Sequence, residues 1–289
     1  MRNLHFPEPV ALGEGQYLGT VPSPAPTTGL HYLDPSPLGT LAVAEHRVAH
    51  PRATVVTVHG GLDRGASFTR LSRRLEDCDV VAYDRRGYQR SRDMGPGTLA
   101  QHVDDLRRVI RWAARTAPIV LMGHSYGGLV SMTLVSDDDN AADVVVAFEA
   151  PLPWVLGRPT PTPPPGDNVA LEAERFFRRV VSDEAWEHLS AREQESRRLD
   201  GPALRADLEA MTSDLAPFEL SDITTPVRYL YGDQRAGEYY SALAQRLTVG
   251  STAFTSRVMS GAPHGAHLSH PDLLAREVRS ALTLADNDR

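Results

Sequence analysis

The chain has 289 residues, 41% of them hydrophobic and 23% charged, and a formal net charge of −7. That length suits one large α/β domain with an insertion or two smaller domains, and the acidic balance argues against nucleic acid as the main partner. No apolar run reaches the roughly 18 residues that span a membrane, the first thirty residues hold no apolar signal core, and the lone Cys78 excludes an intrachain disulfide, all of which fits a cytoplasmic protein.

Residues 1–28, rich in Pro and Gly, are expected to form an irregular arm. Strand and helix signals then alternate. "LHYLD" and "TLAVAEHRV" read as strands, and "ATVVTVHGG" as a buried strand ending in two glycines. "SFTRLSRRLED" reads as a helix, with Phe68, Leu71 and Leu75 at helical spacing, and "CDVVAYD" as the next strand. "TLAQHVDDLRRVIRWAAR" is the clearest helix: Leu99, Val103, Leu106 and Ile110 share a face, and Thr98 is its N-cap. "PIVLMGHS" is a buried strand running directly into the helix "YGGLVSMTLV". "VVVAF", residues 144–148, has no alternating polar residue and reads as a strand buried on both faces. The alternation predicts an α/β fold with a mostly parallel central sheet and helices on both faces.

The rhythm breaks at the Pro-rich "PLPWVLGRPTPTPPPG". Three helical stretches follow, "NVALEAERFFRRVV", "DEAWEHLSAREQESRRL" and "PALRADLEAMT", with no strand until "PVRYLYG". Residues 151–221 are therefore read as a helical insertion in one core formed by 29–150 and 222–289. That core closes with a helix near 238–247, the strand "SRVMSG" and the helix "PDLLAREVRSAL".

Three segments carry chemistry. "GHSYG", residues 123–127, matches G-x-S-x-G, a weak pattern alone but here set between a buried strand and a helix. That context is a nucleophile elbow, presenting the Ser125 hydroxyl on a strained turn beside the free N–H groups of a helix N-terminus. "HGG", residues 59–61, ends another buried strand. Its Gly61 N–H, with that of Tyr126, forms the expected oxyanion hole, and His59 is read as an anchor for the loop. "GAPHGAHLSHP" follows the last strand, and its first histidine, His264, is the candidate general base. His267 and His270 are assigned to packing or capping, and His124 lies on the wrong side of the turn to be the base. "SDDDN" is read as a solvated face. No His, Cys or carboxylate group has ligand spacing, so neither metal nor cofactor is expected, and chelation should leave turnover unchanged.

With "VHGG", "AYDRRGYQRS", "GHSYGG" and "GAPHGAHLSHP", the chain resembles the α/β-hydrolase superfamily across nearly all of residues 30–289. The resemblance implies a cap at 151–221 roofing the site, with Trp154 and Phe176 as candidate substrate-binding residues. It departs at Gln89, where members often carry Gly, and at the triad acid. Members commonly place that acid three residues after the glycine of the strand "YLYG", which is Arg235 here. Two carboxylates stay open. Glu149 ends the apolar strand, where an unpaired charge is costly and where part of the superfamily keeps its acid. Asp233 directly follows Gly232.

The resemblance implies a serine hydrolase acting through an acyl-enzyme on an ester, thioester or lactone of a small apolar substrate. With the same triad, acyl transfer or cyclisation of a natural-product intermediate is the alternative, and a non-catalytic ligand-binding protein is a third. The oligomeric state is not legible.

Overall fold

The computed structural model describes residues 29–114, 118–157, 168–212, 215–234 and 236–287. The arm read over 1–28, most of the Pro-rich stretch and Arg235 lie outside the described residues. One eight-stranded sheet organises the chain: β1 (His31–Tyr32), β2 (Val43–His46), β3 (Thr54–Val58), β4 (Asp79–Tyr83), β5 (Ile119–His124), β6 (Val144–Phe148), β7 (Val227–Gly232) and β8 (Phe254–Met259). Their order is β1-β2-β4-β3-β5-β6-β7-β8. β1 and β2 are antiparallel to their neighbours, and the other pairs run parallel. The parallel strands β3, β5 and β6 lie at the centre, where both faces are covered.

The helices are α1 (Thr69–Ser72), α2 (Leu99–Ala113), α3 (Tyr126–Asp137), α4 (Val169–Val180), α5 (Asp183–Glu187), α6 (Ala191–Leu199), α7 (Gly201–Ala210), α8 (Gly237–Gly250), α9 (Ala266–Ser269) and α10 (Pro271–Asn287). Period-two alternation divides each central strand between two cores. Val145 and Ala147 of β6 pack with α2, α3 and α8, whereas Val144, Val146 and Phe148 pack with α1, α9 and α10. This is why "VVVAF" carries no polar residue. No described helix is long and apolar enough to cross a membrane.

Thr98 caps α2 in a reciprocal capping box with Gln101, as its sequence position predicts. "DEAWEHLSAREQESRRL" is two helices instead of one, because Ser190 and Glu193 form a second capping box that starts α6. "SFTRLSRRLED" is also shorter than its spacing suggested. A 3₁₀ turn, Gly65–Phe68, leads into the single turn of α1, and the bonds from Arg74 and Leu75 N–H tighten to the residues three back. Phe68, Leu71 and Leu75 still reach the same core, so burial kept the periodicity that the backbone did not extend into a long helix.

Between β6 and β7, helices α4–α7 pack on one another and onto the loops after β3 and β4. Leu62 and Tyr88 of those loops join Ala173, Ala203 and Leu204 in one apolar cluster, with Phe176 and Phe177 against it.

Candidate active site

β5 ends at His124, and Ser125 turns the chain into α3 with φ 52° and ψ −125°, a region that side chains rarely occupy. The turn is tight. A Cβ on Gly127 would lie 2.1 Å from the Val58 carbonyl oxygen, and one on Gly123 would lie 2.5 Å from Gly128 Cα. Glycine is therefore required at both ends of "GHSYG". Tyr126 opens α3, so its N–H has no intrahelical acceptor. The "HGG" loop presses against the same serine: a Cβ on Gly60 would come within 2.9 Å of Ser125 Cβ.

Glu149 leaves β6 with a left-handed φ of 47°. Its side chain turns inward, 3% of the residue remaining exposed. Oε1 accepts the Gly232 N–H at 2.9 Å, and Oε2 lies 2.5 Å from His264 Nδ1. A carboxylate can only accept here, so His264 carries its proton on Nδ1 and leaves a lone pair on Nε2. Among the described residues, neither Nε2 nor the Ser125 hydroxyl has a hydrogen-bond partner.

The other carboxylate faces elsewhere. Asp233 accepts from Ser260 Oγ at 2.7 Å and Gly261 N–H at 2.8 Å, and these bonds hold its pKa below the usual range. Of the two acids left open by the sequence, Glu149 is the one His264 meets.

His59 is an anchor, as read from the sequence. Its Nε2 accepts the Arg85 N–H at 2.8 Å and its Nδ1 donates to the Gly60 carbonyl at 2.7 Å. Burial, helped by Arg85, lowers its pKa to about 3 and keeps it neutral. Sequence reasoning missed what lies behind it. Arg85, fully buried, donates to the His59 and Gly60 carbonyls and pairs with Asp207 of α7 at 2.6 Å. Tyr88 Oη and the His102 ring also meet Asp207. Burial alone would raise the Asp207 pKa, but Arg85 and His102 hold it below the ordinary value. One signal was present: Asp207 lies at helical spacing from Ala203 and Leu204, on the buried face of α7.

Phe176 of α4 approaches the "HGG" loop, its ring 3.9 Å from where a Gly61 Cβ would stand. Trp154 instead packs edge-on against Phe218 at 5.3 Å. Gln89 adopts φ 46°, the backbone state that favours glycine, and Asp200 accepts from both its backbone N–H and its side-chain amide.

Ligand spacing is absent from the sequence, but the fold brings three side chains of metal-ligating type together. Asp63, His124 and His267 come from the loop after β3, the end of β5 and α9, and their ligand atoms lie within 4.8 Å of one another. His267, read as packing or capping, does pack against Phe68 and His124, and it also stands 3.1 Å from Asp63 Oδ2. Residues 63, 124 and 267 are far apart in the chain, and only the sheet edge unites them.

The model of the Alpha/beta hydrolase family matches residues 55–277. Over 84 residues the chain is 33% identical to "Lipase LipV" of Mycobacterium tuberculosis, covering 29% of this chain and 32% of that protein. Over 102 residues it is 32% identical to the human "Serine hydrolase-like protein", covering 34% of this chain and 50% of that one. The aligned parts thus span half or less of each relative. Among solved structures, a putative lipase from Acinetobacter baumannii superposes with a TM-score of 0.65 at 13% identity, over 91% of this chain and 94% of that one, a likeness of fold. On the family match, which covers most of the sheet and the elements around Ser125, Glu149 and His264, the chain belongs to the alpha/beta hydrolase family.

Proposed function

We propose that the protein is a serine hydrolase that cleaves an ester, thioester or lactone of a small apolar substrate through an acyl-enzyme on Ser125. The observation that carries this reading is the Glu149–His264 contact, together with a serine held at positive φ at the end of the neighbouring strand. Glu149 fixes the tautomer, His264 Nε2 takes the Ser125 proton, and Oγ attacks the substrate carbonyl carbon. The carbonyl oxygen, now negative, accepts from the N–H groups of Gly61 and Tyr126. Collapse breaks the bond to the leaving group, which departs with the proton from His264. Water repeats the sequence, giving its proton to His264 and releasing the carboxylic acid and Ser125. Asp233 has no place in this scheme.

The insertion 151–221 acts as the cap. Phe176, Leu62 and Leu204 beside Gly61 form an apolar wall suited to an acyl chain, whereas Trp154 reaches the substrate only from its packing position on Phe218. The test is covalent labelling with an organofluorophosphonate, together with a panel of aryl esters of graded chain length. Labelling is expected at Ser125, with turnover that Ser125→Ala abolishes. Labelling at another residue, or no ester turnover by the wild type, overturns the reading.

A further inference from the structure

The geometry points to a divalent transition-metal site, best suited to Zn²⁺, formed by Asp63, His124 and His267. His124 Nε2 lies 2.9 Å from the His264 carbonyl oxygen, which can only accept, so Nε2 carries the proton and Nδ1 a bare lone pair. That lone pair is buried, with the residue 5% exposed, and it has no hydrogen-bond partner. It faces the Asp63 carboxylate across 3.7 Å. Two electron-rich atoms facing each other in a buried space repel unless a positive centre lies between them.

His267 supplies the third atom. It is 2% exposed, and its Nε2 stands 3.1 Å from Asp63 Oδ2. The pair is close enough to attract, but neither His267 nitrogen sits in well-aligned hydrogen-bond geometry. The three ligand atoms all lie within 4.8 Å of one another. That arrangement is expected of metal ligands: around a cation bound at about 2.0–2.1 Å, tetrahedral ligand atoms stand roughly 3.3 Å apart. Separations of 3.1 and 3.7 Å bracket that value. The ring N–H of His124 donated to a backbone carbonyl is likewise the outer-shell contact that orients metal-bound histidines.

Two imidazoles and one carboxylate favour Zn²⁺ over Mg²⁺ or Ca²⁺, which prefer all-oxygen sets. Asp63 also lines a solvent cleft with Arg64, Arg192, Arg197 and Leu268. The ion would tie together three segments: the loop carrying Gly61, the strand end carrying Ser125 and the segment carrying His264. The site therefore acts as a clamp on the active-site loops and stands whatever the substrate is.

The experiment uses the full chain after exhaustive chelation. Calorimetric titration with Zn²⁺ is expected to give one tight site, and Co²⁺ the visible absorption of a four-coordinate ion. Saturating Zn²⁺ should raise Tm by about 5 °C. His267→Gln and Asp63→Asn should each weaken the tight site by more than about a hundredfold, exceeding the usual loss from an outer-shell change, and remove the Tm shift. A wild type that binds Zn²⁺ no better than these variants overturns the proposal, leaving a His267–Asp63 ion pair with bridging water. Should either variant fail to fold, wild-type crystals soaked in Zn²⁺ decide. An anomalous peak among the three residues supports the site, and its absence overturns it.

Discussion

Ser125 and Glu149 both hold left-handed backbone, conformations that cost about 1–3 kcal/mol each and persist only where surroundings enforce them. Ser125→Ala keeps that turn and removes only Oγ. Turnover should fall by several orders of magnitude while Tm stays close to wild type, and residual activity within about tenfold of wild type would overturn the role of Ser125. Glu149→Gln is the sharper test. The amide oxygen can still accept from Gly232, but its NH₂ then meets the Nδ1–H of His264, donor against donor, which disfavours the productive tautomer. Turnover should drop by about three to four orders of magnitude, with Asp233→Asn within about threefold of wild type. The opposite pattern in kcat would move the acid to Asp233. Glu149 was legible in the sequence because a carboxylate ending a wholly apolar strand needs a partner. The choice between it and Asp233 was not, since both strands end at one sheet edge and only side-chain direction separates them.

At the scale of elements, the junction between the α4–α7 insertion and the core rests on the buried Arg85–Asp207 pair. Removing one partner of such a pair leaves an uncompensated buried charge and costs about 3–5 kcal/mol. Asp207→Asn should therefore lower the urea midpoint markedly. It should also reduce kcat/KM, because Arg85 holds the carbonyls next to Gly61. Arg85→Met with Asp207→Leu should recover most of the stability but not the activity. Equal recovery of both would show that Arg85 does not support the "HGG" loop. The aromatics of the insertion divide by contact. Phe176→Ala should shift the ester chain-length profile more than the rate on the smallest ester, whereas Trp154→Ala, removing a partner of Phe218, should act mainly on stability. The Thr98 cap and the central strands were visible in sequence because each is set by neighbouring residues, whereas the capping box of Ser190 and Glu193 was read through as continuous helix. Arg85 with Asp207, and Asp63 with His124 and His267, were not, because each joins residues that only the tertiary fold brings together.

For the whole molecule, the pH dependence of stability follows from imidazoles buried neutral at the same junction. Burial, then Arg85, lowers the pKa of both His59 and His102, His59 to about 3. In the unfolded chain each recovers an ordinary value near 6.5. As pH falls below that value the unfolded state binds protons that the folded state refuses, so stability is lost on acidification. His59 contributes a slope of about 1.4 kcal/mol per pH unit, or about 2 kcal/mol between pH 6.5 and 5, and His102 adds in the same direction. Asp207 acts in a lower window. Its depressed pKa gives stability that is fully present above about pH 4 and lost as pH falls further. Urea unfolding in chelator-containing buffer should thus give a free energy that declines from pH 7 to 5 and more steeply below 4, with net proton uptake on unfolding at pH 5.5. A flat profile from 7 to 5 would mean that His59 or its neighbour is already charged in the folded protein. Because these groups lie where α7 meets the loops after β3 and β4, hydrogen exchange at pH 5 should lose protection in α7 before β5 or β6, the insertion loosening while the central sheet holds.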